Sequence, residues 1–182
     1  MRHLFRIALL FTVIVYLVIV LWSLPIVQGE ADGLRPLDLR PLGYSGEEAR
    51  AFLSAITDAG RAQYLGPQRL LDLIYPALLA ITLVFGIFRF GGKMSMFWRL
   101  LLSVLPMLGA ACDYVENELV AAMLKTPVDL VTDEMVQQAN FASLGKSGLT
   151  TISMLLVVVL AVRFGIKRRK KARRRAAKAN AE

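Results

Sequence analysis

Four long runs of apolar residues dominate this chain of 182 residues. They lie at about residues 4–27, 70–90, 97–117 and 149–166, and each is close to the roughly 20 residues that a helix needs to cross a bilayer. The chain is 56% hydrophobic, more than an ordinary soluble domain. Within lipid, a helix satisfies all its own backbone hydrogen bonds. The sequence therefore predicts an all-α integral membrane protein, a four-helix bundle.

The first apolar run has two possible interpretations, a secretory signal peptide or a membrane span. Arg2 and Arg6 precede or open it, as in a secretory signal peptide, and residues 27–29 could form a weak cleavage site. The run is longer than the roughly 7–15-residue apolar core of such peptides. We therefore interpret it as an uncleaved membrane span.

Basic residues are distributed unevenly among the segments that flank the spans. The N-terminus, the loop between spans two and three and the C-terminal region carry fifteen of the 22 Lys and Arg residues. Such residues accumulate on the cytoplasmic side of a membrane. We predict that both termini are cytoplasmic and that the other two loops are outside. The basic tail, residues 167–182, is predicted to contact anionic lipids rather than nucleic acid.

Both outer loops show signs of short amphipathic helices. Ser45 and Glu48 have the spacing of a capping box, which predicts a helix over about 46–59. Thr132 can cap a second helix, whose apolar residues are Met135, Val136, Ala139 and Phe141. Residues 1–166 are thus expected to form one membrane domain, followed by the tail.

Polar residues at the outer ends of spans two and three are the best candidates for a functional site, because ionisable groups at membrane depth are costly and need partners. Asp72 and Tyr75 share a helix face, and Pro76 cannot donate to the carbonyl of Asp72. The topology brings these residues close to a second acidic helix end and to the segment before span two. The predicted ligand-binding residues are Arg61, Tyr64, Asp72, Tyr75, Asp113, Glu116 and Asn117.

Several interpretations of this cluster remain open at the level of sequence. The carboxylates could be solvated helix ends, or they could bind a lipid headgroup, a cation, a small ligand or a partner helix. Asp72 and Asp113 could also act as an acid/base pair in an enzyme that acts on a lipid or peptide, and Asp113 and Glu116 could hold a metal. One cysteine and one histidine exclude triads and clusters built on these residues, and we expect no cofactor.

The motifs Gly60-Arg61-x-x-Tyr64, Asp72-x-x-Tyr75-Pro76 and Asp113-x-x-Glu116-Asn117 resemble those of a group of small uncharacterised bacterial four-span membrane proteins. The resemblance implies a bacterial inner membrane and names no substrate. Lipoprotein signal peptidases are similar in layout, but their Gly-Asn-x-x-Asp signature is absent. We therefore expect a binding or accessory protein with a polar outer pocket, and the alternative is a membrane enzyme.

Overall fold

The computed structural model describes residues 1–179, which form five α-helices joined by loops and short turns. Four of them are long and apolar enough to cross a membrane. The helices are α1 (Arg2–Gly29), α2 (Gly46–Ala55), α3 (Asp58–Phe90), α4 (Met96–Lys125) and α5 (Asp133–Ala179). The predicted all-α four-helix bundle is confirmed, and the chain is a multi-pass membrane protein.

The four long helices are not arranged as a symmetric bundle. Helices α3, α4 and α5 all pack against one another, whereas α1 packs along α3. Within residues 1–179, α1 and α5 hardly pack against each other. A hydrogen bond of 2.8 Å between the Thr12 and Thr82 hydroxyls joins α1 to α3. This leaves one side of the bundle, between α1 and α5, without close helix packing.

Helix α4 is longer than a bilayer requires. Its 30 residues span about 45 Å at 1.5 Å per residue, whereas the hydrocarbon core is about 30 Å thick. The final turns of α4 carry Val120, Met123 and Leu124, all of which are buried. The part of this helix that exceeds the length of a span therefore has a function in packing: it supplies one side of a small core.

We call this region the cap, and it comprises residues 30–57 and 126–132 together with the helix ends that they cover. Its first helix begins with the predicted capping box, in which Glu48 N donates to Ser45 Oγ and Ser45 N donates to Glu48. The buried cap core contains Val27, Leu37, Ala49, Phe52, Leu53, Val120, Met123, Leu124 and Val136, among others.

Two predicted boundaries in the cap differ from the structure. The helix expected over 46–59 ends at Ala55, because Thr57 caps a new helix by accepting a hydrogen bond from Gly60 N. That new helix is continuous with the second span, so α3 begins at Asp58 instead of near residue 70.

The amphipathic helix predicted after Thr132 is the first part of α5. This helix runs without interruption from Asp133 through the fourth span and on to Ala179. Val136 and Ala139 are buried in the cap core, but Phe141 is 80% exposed. Residues 180–182 of the predicted basic tail lie outside the described part of the chain.

Candidate functional site

A cavity of about 350 Å³ lies where the bundle meets the cap. Its walls come from α1, α3, α4, α5 and the loop after α1. Four ionisable side chains other than tyrosine line it: Asp38, Asp72, Asp113 and Lys146. The cavity thus contains both predicted acid/base candidates, Asp72 and Asp113, together with two charged residues that were not predicted as part of a site.

Asp72 of α3 lines the cavity, and Pro76 determines which group bonds to its backbone carbonyl. The proline has no N–H to donate to the Asp72 carbonyl, as the sequence predicted. Asn117 Nδ2 of α4 donates to that carbonyl instead, at 3.1 Å, and Tyr114 donates to the next carbonyl, of Leu73, at 2.9 Å. Asn117 therefore joins α4 to α3 through the backbone and does not line the cavity.

Lys146 of α5 forms the charged centre of the site. Its ammonium lies 3.5 Å from Asp113 Oδ1, is in direct contact with Glu116 Oε2, and donates to the carbonyl of Asp38 at 3.3 Å. Glu116 is completely buried and also accepts a hydrogen bond from Ser143. Lys146 therefore neutralises charge behind the cavity wall while holding the loop of Asp38 against the helices.

The position of the Lys146 ammonium is relevant to the hypothesis that Asp113 and Glu116 hold a metal ion. It contacts both carboxylates and so lies where a bridging cation would have to sit. Within residues 1–179, no three His, Cys, Asp or Glu residues converge in a way that could hold a metal ion. The geometry supports an internal ion pair at these two residues.

Asp38 comes from a short helical turn, Leu37–Leu39, in the long loop of the cap. Its carboxylate accepts a hydrogen bond of 2.5 Å from the hydroxyl of Tyr64, whose ring is buried in the cap core. Tyr64, which was predicted to bind a ligand, does not line the cavity itself and instead holds Asp38 in place. Tyr75 lines the cavity directly, with its ring 6.0 Å from that of Tyr16.

Arg61 is not where the sequence placed it. Its guanidinium donates to the carbonyl of Leu124 at the end of α4 and, at 2.5 Å, to the carbonyl of Leu53 in α2. These are helix-terminal acceptors with few other partners. The expectation that Arg61 would fold over the carboxylates is therefore replaced by a structural role in holding the cap together.

Gln68 was not predicted, and it is the most unusual polar group in the cavity. The residue is 1% exposed, and its Nε2 donates to Asp72 Oδ1 at 2.8 Å. Within the described residues its Oε1 has no hydrogen-bond donor. A buried acceptor without a donor costs about 1–3 kcal/mol. Gln68 therefore holds an unused buried acceptor in the wall of the cavity, next to the carboxylate of Asp72.

Both interruptions of regular α-helix in the long helices lie beside this cavity. One turn of α1, Ile19–Ser23, and one turn of α3, Tyr64–Gln68, are π-helical. The second contains Pro67, which cannot make the usual backbone hydrogen bond. Ile19 and Gln68 from these turns both line the cavity. Such turns are uncommon and frequently occur at functional sites.

The pairing of charges distinguishes the carboxylates of the cavity from one another. Asp113 is ion-paired with Lys146, but neither Asp38 nor Asp72 forms an ion pair within residues 1–179. A larger groove of about 450 Å³ on the outside of α3 and α4 differs in this respect. Its two charged residues, Arg69 and Glu118, pair with each other at 2.6 Å. Of these two sites, only the cavity is lined by carboxylates that form no ion pair among the described residues.

No protein-family model, curated protein or solved structure matches this chain.

Proposed function

We propose that this membrane protein is a binding or accessory protein that holds an ammonium-bearing ligand in the cavity between α1, α3 and α5. The observation that carries the proposal is the combination of Asp38 and Asp72 with Gln68 Oε1. Among the described residues, the two carboxylates lack an ion pair and the amide oxygen lacks a donor. All three residues line the same cavity. A primary ammonium supplies a positive charge and three N–H donors, so one group could satisfy all of them.

The energetics of a membrane environment favour such a ligand. An ionised carboxylate at membrane depth is costly unless it is paired. Asp113 and Glu116 already have Lys146 as their partner, whereas Asp72 has only the amide of Gln68. An ammonium beside Asp72 would therefore provide the missing counter-charge. An anionic ligand would meet several carboxylates and only one ammonium.

The charge bias of the sequence extends the proposal to the placement of the protein. With both termini in the cytoplasm of a bacterial inner membrane, the cap and the cavity would face the outside. The basic tail would then lie against the anionic lipids of the inner leaflet.

An enzyme that uses Asp72 and Asp113 as an acid/base pair has less support. Such a pair needs one carboxyl that holds a proton and one that is ionised. Asp113 already forms an ion pair with Lys146, whereas Asp72 is hydrogen-bonded by the Gln68 amide, so the two carboxyls are engaged by different groups. Activity that persists in an Asp72→Asn, Asp113→Asn double variant would exclude this alternative.

A thermal-shift titration tests the binding proposal. The purified protein is heated in detergent with increasing butylammonium, and butanol serves as an uncharged probe of the same chain length. We expect butylammonium alone to raise the melting temperature, since a ligand that binds only the folded state stabilises it. The Asp72→Asn variant should lose this shift, because the asparagine keeps the size and the Gln68 contact of the aspartate but not its charge.

Glu118→Gln is the matched control, because it removes a carboxylate that lies outside the cavity and is paired with Arg69. It should keep the full response to butylammonium. Equal shifts with butanol and butylammonium, or a full response in Asp72→Asn, would contradict the proposal.

A further inference from the structure

We infer that the ligand is a bilayer lipid with a primary ammonium next to a phosphodiester, and that its acyl part leaves the cavity sideways between α1 and α5. The inference rests on the proposed function and adds the source of the ligand and its route. It is carried by the separation of polar and apolar groups around the cavity, together with the gap in helix packing on one side of the bundle.

The acidic end of the cavity suits an ammonium that still carries N–H groups. Gln68 Oε1 can be satisfied only by a hydrogen-bond donor, and Asp72 is held next to it by the Gln68 amide. A quaternary ammonium has the charge but no N–H. The site should therefore distinguish a primary amine from its trimethylated form, because only the primary amine satisfies the buried acceptor.

A second set of polar groups lies on the wall formed by α5. Ser147, Thr150 and Thr151 line the cavity, and their spacing places them on one face of the helix. Hydroxyl groups can donate to phosphate and ester oxygens. In a lipid headgroup these oxygens lie a few bonds from the ammonium. The cavity thus presents acceptors at one place and hydroxyl donors at another, as a zwitterionic headgroup requires.

Most of the remaining lining is apolar. It includes Tyr16, Ile19 and Val20 of α1, Leu79 of α3 and Met154 of α5. Tyr16 and Met154 are 48% and 41% exposed, so they stand at the edge where the cavity meets lipid. Because α1 and α5 hardly pack against each other, this edge is open between the two helices.

The volume of the cavity agrees with partial enclosure of a lipid. About 350 Å³ is near the lower limit of the 300–1,000 Å³ of typical ligand sites. It holds a headgroup but not two acyl chains. The chains must therefore continue outside, and the open edge between α1 and α5 leads them into the bilayer.

The test uses the full chain in nanodiscs of phosphatidylcholine with a minor fraction of phosphatidylethanolamine, followed by native mass spectrometry of the retained lipids. We expect phosphatidylethanolamine to be enriched about tenfold or more over its share in the disc, as the difference of one buried charge-assisted hydrogen bond predicts. Asp72→Asn should abolish the enrichment.

Met154→Trp tests the route, since it places a large side chain at the open edge. It should reduce the enrichment about tenfold. Ile152→Trp is the control, because Ile152 is 53% exposed on the same helix and does not line the cavity.

The outcomes separate the two proposals. If butylammonium binds but phosphatidylcholine is retained as well as phosphatidylethanolamine, the ligand is a soluble amine and the lipid inference is wrong. The same conclusion follows if Met154→Trp has no effect, and a retained peptide in place of lipid would also overturn it. If neither butylammonium nor lipid binds, the proposed function itself fails.

Discussion

The cap and the membrane spans contain similar apolar residues but bury them in different ways. In the cap core, Phe52, Leu53 and Met123 are completely buried by protein. In the apolar windows of the four spans, only 11–33% of the residues are buried by protein, and side chains such as Leu10 and Phe11 are more than half exposed. The cap is thus held together by hydrophobic burial, whereas the spans depend on the bilayer to cover them and on a few polar contacts to associate.

The same contrast applies to ion pairs. Lys146, Asp113 and Glu116 form a cluster enclosed in the bundle, with side-chain exposures of 16%, 15% and 0%. In the cap, Arg50 and Asp133 pair at 2.5 Å with side chains that are 38% and 74% exposed. Water screens the second pair but not the first. The comparison indicates that removing one partner of an ion pair should destabilise the protein more in the bundle than in the cap.

The largest expected effect is that of Lys146→Met. It leaves two enclosed carboxylates without a counter-ion, which should destabilise the protein by about 3–5 kcal/mol. Arg50→Met in the cap should cost no more than about 1 kcal/mol. Thermal or chemical unfolding in detergent measures both. Adding Asp113→Asn and Glu116→Gln to Lys146→Met should recover part of the lost stability. Equal losses for Lys146→Met and Arg50→Met would contradict the proposed difference between the two regions.

Phe52→Ala and Phe11→Ala compare the two kinds of apolar burial directly. Phe52→Ala should cost about 3 kcal/mol, because it opens a void in the cap core. Phe11 is 52% exposed on a membrane span, so lipid can fill the space and the cost should stay below about 1 kcal/mol. The measurement is unfolding of both variants in bicelles. A larger loss for Phe11→Ala would mean that α1 is covered by protein instead of lipid.

A smaller effect is expected where the bundle depends on a single polar contact. Asn117→Ala removes the donor to the Asp72 carbonyl and should cost about 1–2 kcal/mol. In a Pro76→Ala background, the new backbone N–H can bond to that carbonyl, so the same substitution should cost less. A double-mutant cycle measures the difference. Strict additivity of the two losses in unfolding free energy would show that Asn117 does not compensate for the proline.

The smallest expected effect belongs to the capping box of α2. Ser45→Ala should cost about 1 kcal/mol. Hydrogen bonds from Ser45 hold the pKa of Glu48 below its usual value of 4.5. A carboxylate whose pKa is lowered by folding contributes stability above its unfolded pKa and loses that contribution as the pH falls through the folded pKa. Melting temperatures of the wild type and Glu48→Gln should therefore converge in acid, and a constant difference would contradict this assignment.

Sequence reasoning identified about half of the candidate site, and the successes have a local cause. Asp72 and Pro76 are four residues apart, so the unused carbonyl could be predicted from backbone chemistry alone. Asp113 was predicted because it follows a long apolar run. These inferences require only the periodicity of one helix and the depth at which it leaves the membrane.

The residues that were missed or misplaced depend on contacts between distant segments. Lys146 was used only to count loop charges, yet it joins Asp113 and Glu116 to the loop of Asp38. Asp38 lies in an irregular segment, where no periodicity indicates which way a side chain points. Arg61 was assigned to the carboxylates because it lies just before the second span, but its guanidinium bonds the carbonyls at two helix ends. The one available signal for Lys146 was its position at the start of the fourth span, where a charge needs a partner.

The sequence by itself determined that the chain forms four membrane spans, because runs of about 20 apolar residues satisfy their backbone in lipid only as helices. It also determined the capping box and the carbonyl released by Pro76, which involve only neighbours along the chain. The tertiary structure alone decided which charges meet. It placed Lys146 between two carboxylates and separated α1 from α5, and in the part of the chain that the structure describes it left Asp38 and Asp72 without an ion pair. Such pairings depend on the packing of whole helices, which the pattern of any single segment does not specify.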